Sequence, residues 1–173
     1  NSDINGNTIQ NITSLANGNF IAIQYNYETN GASLLLLTPK DPSEIKEKII
    51  ITFAAMYIQD NIKKAIINFN KTNEEYRIQV TDYSQYNTQE DYRAGITKLN
   101  YDNISGNIPD LMDLNSLPYG SYVSKGILAN LYDIMKKDPE FKKADYLENI
   151  FKASEINGGL YELIPAFSAY TVV

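Results

Sequence analysis

The feature that most constrains the fold is an unbroken β-branched and apolar run, residues 49–54, followed by an amphipathic segment. The run does not alternate between polar and apolar residues, which predicts a strand buried on both faces of a parallel sheet. The next apolar residues recur at helical spacing: Ile58, Ile62, Ala65, Ile66 and Phe69. An alternating segment, Tyr76–Val80, predicts a second strand. The order strand, helix, strand is typical of an α/β domain with a mostly parallel sheet.

The same order continues along the chain. Asn87 and Glu90 have the spacing of a helix N-cap and its N3 partner, which predicts a helix whose inward residues include Tyr92, Ile96 and Leu99. The further predicted elements are a strand at 110–114, a helix at 119–125 that Gly126 can end, a helix at 145–154, and a strand at 160–164 after the Asn157-Gly158 turn. Helices would therefore flank the sheet.

The first 38 residues have a different pattern. Three extended segments are separated by the turn signals Asn17-Gly18-Asn19 and Asn30-Gly31, which predicts a small antiparallel β-meander. Three strands bury little surface and leave two edges, so we expect residues 1–38 to belong to a larger β structure, such as a propeller blade. We expect residues 39–48 to be a linker and residues 49–173 to form the α/β part.

The composition narrows the chemistry. The net charge of −6, without clustered Lys and Arg, argues against a nucleic-acid surface. The absence of cysteine excludes disulfides, thiolate zinc sites and a cysteine nucleophile, and the absence of histidine removes the commonest general base and metal ligand. We expect no catalytic residues, no metal and no cofactor. We also expect the chain to be a piece of a longer precursor whose targeting signal lies outside it.

The loops that follow the predicted strands should share one edge of the sheet, where α/β proteins bind ligands. These loops are rich in aromatic, amide and hydroxyl groups: Tyr57, Gln59, Tyr83, Tyr86, Asp113, Asn115, Ser116, Tyr119, Phe167 and Tyr170. Aromatic rings can stack on the C–H face of a sugar, while amide and carboxylate groups bond its hydroxyls. The set therefore indicates a site for a neutral sugar or oligosaccharide.

Two aspartates on the third predicted strand differ in their expected roles. Asp110 and Asp113 point to opposite faces of a strand, which opposes a paired acid/base or metal site. Asp110, next to Pro109, is expected to bond neighbouring backbone, whereas Asp113 at the strand's end is the better ligand candidate. A hydrolase using two carboxylates stays open, because 21 acidic residues supply many pairs and no spacing singles one out.

Three segments carry a resemblance to a known family. They are Ile51–Ala54 with the following helix and residues 67–73, then residues 106–111 running through residues 122–131, and finally residues 157–165. In this order and spacing, the chain from about Lys48 to Val173 resembles the first lobe of an extracellular solute-binding protein of the sugar-binding type, the receptor of an ABC importer. The meander is additional to the family pattern, and the second lobe is missing.

The resemblance implies a periplasmic-binding-protein-like lobe that closes on its ligand by hinge motion and delivers it to an importer permease. It also implies a lipid-anchored or secreted protein at the extracellular face of the cell membrane, with any lipid anchor outside this chain. Family ligand contacts carry over to loop positions Met56 and Tyr57, Asn115 and Ser116, and 167–169. The expected ligand-binding residues are therefore Met56, Tyr57, Gln59, Tyr86, Asp113, Asn115, Ser116, Tyr119 and Phe167.

Two alternatives remain open. The first is a carboxylate-dependent glycoside hydrolase that uses acidic residues of the same edge. The second is a cell-surface sensor or adhesion module, in which the β part binds a protein partner and the cleft stays empty.

Overall fold

The computed structural model describes residues 4–27 and 29–164, and it has a mixed α/β fold with two separate three-stranded sheets. The strands are β1 (Ile9–Ser14), β2 (Phe20–Asn26), β3 (Gly31–Leu37), β4 (Ile49–Ala55), β5 (Tyr76–Asp82), β6 (Leu111–Met112), β7 (Glu155–Ile156) and β8 (Gly159–Leu160). The helices are α1 (Asp60–Thr72), α2 (Ala94–Ile104), α3 (Tyr119–Ser124), α4 (Leu131–Met135) and α5 (Glu148–Ser154). The structure therefore confirms the predicted α/β class, with an antiparallel sheet and a separate parallel sheet flanked by helices.

The chain forms two compact units, each discontinuous in sequence. The first unit contains the chain up to Asn100 together with Pro109–Asp113, and therefore holds both three-stranded sheets. The second unit contains Tyr101–Ile108 and the chain from Leu114 onward.

The predicted antiparallel meander is confirmed, with strand order β1-β2-β3. Its turns use left-handed backbone at Gly18 and Asn30, with φ of +83° and +51°. Large apolar side chains stand on both faces of this sheet. Leu34 and Leu36, paired opposite Ile23 and Ile21, are 72% and 63% exposed.

The second sheet is parallel, as predicted, with strand order β5-β4-β6. The prediction that residues 49–54 are buried on both faces is wrong for the first half of the strand, since Ile49 and Ile50 are 56% and 44% exposed. Only the carboxyl end is enclosed, where Ala54 and Ala55 are buried and the segment after β5 packs against β4.

Side-chain hydrogen bonds join the carboxyl end of α1 to β5 and to Lys48. The buried Asn70 side chain accepts from the Ile78 backbone nitrogen at 2.7 Å and donates to the Ile78 carbonyl at 2.9 Å. The Lys48 ammonium donates to the carbonyls of Asn70 and Asn73 at the end of α1. A cation at a helix C-terminus satisfies carbonyls that lack intrahelical partners. Lys48 therefore has a structural role within the segment predicted as a linker.

The helix predicted to start after Asn87 begins later, at Ala94. The Thr88 hydroxyl oxygen accepts from the backbone nitrogens of Glu90 and Asp91, which turns the chain before it can become helical. Asn87 still caps this helix, because its side chain accepts from the Gly95 nitrogen at 2.8 Å. Tyr92 precedes the helix and is 75% exposed, so its predicted inward position is wrong.

In the second unit, the predicted helix at 119–125 is confirmed as α3, and Gly126 ends it with a φ of +67°. α4 was not predicted, and α5 is shorter than the predicted helix. The predicted strand at 160–164 is wrong, because only Gly159–Leu160 pairs, antiparallel to β7. Asn157 and Gly158 both have positive φ, which favours this tight hairpin over an addition to the parallel sheet. The strand-like segment Tyr170–Val173 lies outside the described residues.

Candidate ligand-binding edge of the parallel sheet

The carboxyl ends of β4, β5 and β6 lie level with one another. Ala54 is paired with Thr81 on β5 and with Met112 on β6, and Ala55 is paired with Asp82. The segments that leave these strands therefore start from one edge of the sheet, as expected for parallel strands whose connections cross on its faces.

Three predicted residues follow β4. Met56 is half-buried, and its terminal methyl carbon would lie 2.7 Å from a Cβ added to Gly95. Tyr57 is 70% exposed, which makes its ring accessible to a ligand. Gln59 precedes α1 without capping it, so its exposed amide is not used by the helix.

The segment after β5 is shaped by Asp82. Its carboxylate accepts from the backbone nitrogen and hydroxyl of Ser84, and this Asx turn starts a short 3₁₀ helix, Tyr83–Tyr86. The turn buries Tyr83 and leaves Tyr86 43% exposed. The two ring centroids are 5.8 Å apart, and the Lys98 ammonium lies 5.8 Å from the centroid of the Tyr86 ring. The Tyr86 ring thus lies near the Lys98 ammonium, and the Tyr57 ring is the more exposed of the two.

Gly95 allows α2 to approach this segment closely. A Cβ at this position would overlap the Tyr83 carbonyl group and the end of Met56. Together with the Asn87 cap, this close approach fixes α2 against the residues that carry Tyr83 and Tyr86. Glycine is the only residue type that leaves room for it.

At the end of β6, Asp113 donates its backbone nitrogen to the Ala54 carbonyl at 2.8 Å, which holds Asp113 beside the end of β4. Its side chain is partly exposed at the candidate edge.

The structure confirms the predicted backbone role of Asp110. Its carboxylate accepts from the backbone nitrogen and the hydroxyl of Thr52, and its own backbone nitrogen donates to that hydroxyl oxygen. Hydrogen bonds from the Thr52 hydroxyl and backbone hold the pKa of Asp110 below its ordinary value. Asp110 therefore joins β4 to the segment leading into β6.

Three other predicted residues belong to the second unit. Asn115 and Ser116 are exposed, and Ser116 has a φ of +65° in the turn before the buried Leu117. Tyr119 begins α3, and its hydroxyl lies 3.4 Å from the Ser154 carbonyl. Burial, followed by the charge of Glu162, raises the pKa of Tyr119. Phe167 lies outside the described residues.

In the first unit, the structure therefore places five predicted positions at one edge: Met56, Tyr57 and Gln59 after β4, Tyr86 after β5, and Asp113 after β6. Lys98 and Gly95 were not among the predicted site residues. Lys98 lies on α2, which starts at Ala94, and the chain's sequence contains no signal for that displaced start apart from Thr88.

The edge presents an accessible phenol ring, an amide, a carboxylate and an ammonium group. Across residues 4–27 and 29–164, no group of three His, Cys, Asp or Glu side chains could hold a metal ion. Within the same ranges, no helix combines the length and hydropathy of a bilayer span.

Comparisons with known proteins give no family assignment. No protein-family model matches the chain, and no curated protein and no solved structure is significantly similar to it.

Proposed function

We propose that this chain is part of the substrate-binding component of an ABC importer and that it binds a carbohydrate at the carboxyl edge of the β5-β4-β6 sheet. The observation that carries the proposal is the level arrangement of that edge, which places the Tyr57 loop, Tyr86 and Asp113 at the ends of three adjacent parallel strands. Ligands of open α/β sheets bind at this position. The fold proposed for the α/β part is a periplasmic-binding-protein-like lobe.

In this proposal, the exposed Tyr57 ring stacks on the C–H face of a sugar, and Asp113 accepts hydrogen bonds from its hydroxyls. Gln59 and Lys98 donate to the sugar at the periphery. Asn115, Ser116, Tyr119 and Phe167 remain predicted contacts. The carbohydrate would be enclosed by a second lobe, and the loaded receptor would then engage a permease at the extracellular face of the membrane.

Isothermal titration calorimetry with a panel of neutral mono- and oligosaccharides tests the proposal. Tyr57→Ala should weaken binding by about fivefold to tenfold, because it removes one stacking surface. Asp113→Asn should weaken it by about tenfold or more, because it removes a charged acceptor. The matched control is Tyr27→Ala, which removes an equally exposed tyrosine of the meander and should change nothing.

Two results would contradict the proposal. One is heat with peptides or metal ions but with no sugar in the panel. The other is sugar binding that is insensitive to both Tyr57→Ala and Asp113→Asn, which would place the carbohydrate elsewhere.

The meander favours a second candidate function, a sensor or adhesion module. Residues 1–38 contain only two charged side chains, Asp3 and Glu28, and Leu34 and Leu36 are largely exposed. Exposed apolar patches are typical of protein-contact surfaces. Under this alternative, Leu36→Lys would abolish binding to a protein partner, and the Tyr57 and Asp113 variants would have no effect on any ligand.

A further inference from the structure

A pocket of about 340 Å³ lies between α1 and β5 in the first unit. Its walls are mostly branched aliphatic side chains, including Ile66 and Ile67 of α1 and Ile78 and Val80 of β5. Ile4, at the start of the described chain, also lines it. A largely apolar concavity of this size falls at the lower end of the range for small-molecule sites. None of the predicted carbohydrate contacts lines it, although Ile58 and Asp82, which do line it, border the candidate edge.

The polar groups of this pocket are unevenly distributed. Asn70 lines it beside Ile78, and its side-chain nitrogen and oxygen each make a hydrogen bond with the Ile78 backbone. Lys63 lies seven residues earlier on α1, about 10 Å from Asn70 along the helix axis. Asp82 lies four residues after Ile78 on β5, about 13 Å along the strand. Because the helix and the strand of such a crossover run in opposite directions, Lys63 and Asp82 lie toward the same end of the pocket.

These two charged groups differ in how they are used. One oxygen of the Asp82 carboxylate already accepts two hydrogen bonds from Ser84. Lys63 is half-buried, and its ammonium group has no hydrogen bond or ion pair to any residue that the structure describes. An ammonium group at the end of an apolar pocket favours a ligand with an apolar body and an anionic end.

We propose that this pocket binds a small aliphatic carboxylate, with its alkyl chain among Ile66, Ile78 and Val80 and its carboxylate facing the Lys63 ammonium. A sugar does not suit these walls, because its hydroxyls would be buried against alkyl groups without hydrogen-bond partners. None of these pocket contacts is a predicted carbohydrate contact.

Three probes with the same alkyl chain test this proposal by calorimetry: octanoate, octanol and octylammonium. Octanoate should bind about tenfold more tightly than octanol, because only the carboxylate gains a charge-assisted hydrogen bond from Lys63. Octylammonium should bind most weakly. Equal affinity for all three probes, or no binding of octanoate, overturns the proposal. A preference for octylammonium also overturns it, since Asp82 would then dominate the pocket.

Substitutions in the pocket test whether octanoate binds there and whether Lys63 causes its preference over octanol. Lys63→Met should reduce octanoate affinity to that of octanol, whereas Lys46→Met, at an exposed lysine paired with Glu74, should not change it. Val80→Phe and Ile67→Phe fill the pocket from opposite walls, and each should abolish binding of both octanoate and octanol. Circular dichroism and thermal melting identify any variant that fails to fold. If one of the two pocket-filling variants does not fold, the result with the other one tests the proposal. A retained octanoate preference in Lys63→Met overturns the proposal.

Discussion

The two sheets of the first unit are stabilised in different ways. The meander is held by antiparallel backbone pairing and by local polar side chains at its turns, such as Asn17, which accepts from the Asn19 nitrogen. The parallel sheet also has backbone pairing, and in addition single side chains bond backbone far away in sequence. Asp110 reaches Thr52 and Lys48 reaches the end of α1.

The difference between the two sheets follows from the way their strands are connected. A tight turn sets the register of a hairpin, so the meander strands depend less on polar contacts between distant residues, of which the Gln24 amide donating to the Thr8 hydroxyl is an example. Parallel strands are joined by long crossovers, and their ends can be positioned only by contacts between distant segments. In this protein, Lys48 makes such contacts at the amino end of β4, opposite the candidate edge, and Asp110 makes one at the middle of β4. Substitutions should therefore be costly in the parallel sheet and mild in the meander.

The largest effect is expected for Gly95→Ala. The added methyl group would overlap the Tyr83 carbonyl and the end of Met56, so α2 must move away. We expect the free energy of unfolding to fall by about 2–4 kcal/mol, measured by urea denaturation. The control is Gly120→Ala in α3, where a Cβ meets no atom within 4 Å. That change should be neutral or slightly stabilising, because alanine favours helix. Equal effects at both glycines would show that α2 does not depend on this close approach.

Asn70→Ala should have the next largest effect. It leaves the Ile78 nitrogen and carbonyl without their side-chain partner and opens a gap at a buried position. We expect a loss of about 2–3 kcal/mol in the free energy of unfolding. Asn68→Ala, at an exposed site on the same helix, is the matched control and should be close to neutral. Denaturation curves in which the two variants coincide would contradict the structural role of Asn70.

The sequence predicts the regular parts of this fold because their signals are local. Helical spacing identifies α1, and Asn and Gly identify the meander turns. The displaced start of α2 is not predicted, because Asn87 and Glu90 match a capping pattern while the Thr88 hydroxyl takes the Glu90 nitrogen instead. The burial of β4 is overestimated because a β-branched run cannot show how much of a strand its neighbours cover.

The candidate site likewise has features that the sequence predicts and features that depend on packing. The position of Asp113 beside β4 follows from the strand pattern, and the backbone role of Asp110 follows from its place after Pro109. The nearness of Lys98 to Tyr86 depends on how α2 packs against the segment after β5. That packing rests on Gly95, whose importance becomes visible only when the Tyr83 carbonyl is placed beside it.

Asp110→Asn should show a smaller effect that depends on pH. The pKa of Asp110 is lowered in the folded protein by the Thr52 hydroxyl and backbone, so its contribution to stability is present above the unfolded pKa. That contribution is lost as the pH falls through the folded pKa. At pH 7 the variant should be less stable by about 1 kcal/mol, and the difference in melting temperature should shrink below about pH 4.

The control for this pH dependence is Thr52→Val, which removes the hydroxyl and retains the backbone donor. In the Thr52→Val background, Asp110→Asn should cost less, and its pH dependence should be weaker. A difference between wild type and Asp110→Asn that stays constant from pH 7 to pH 3 would contradict the proposed role of the charged carboxylate.

The smallest effect is expected in the meander, for Leu36→Thr. Leu36 is 63% exposed, and threonine retains the preference for strand, so the free energy of unfolding should change by less than about 0.5 kcal/mol. Ala22→Leu is the contrasting change, because Ala22 is buried at the centre of the same sheet and has little room for a larger side chain. If urea denaturation instead shows a large loss for Leu36→Thr, this face is covered in solution. The meander would then be stabilised by packing against another surface, and the contrast between the two sheets would no longer rest on their connections alone.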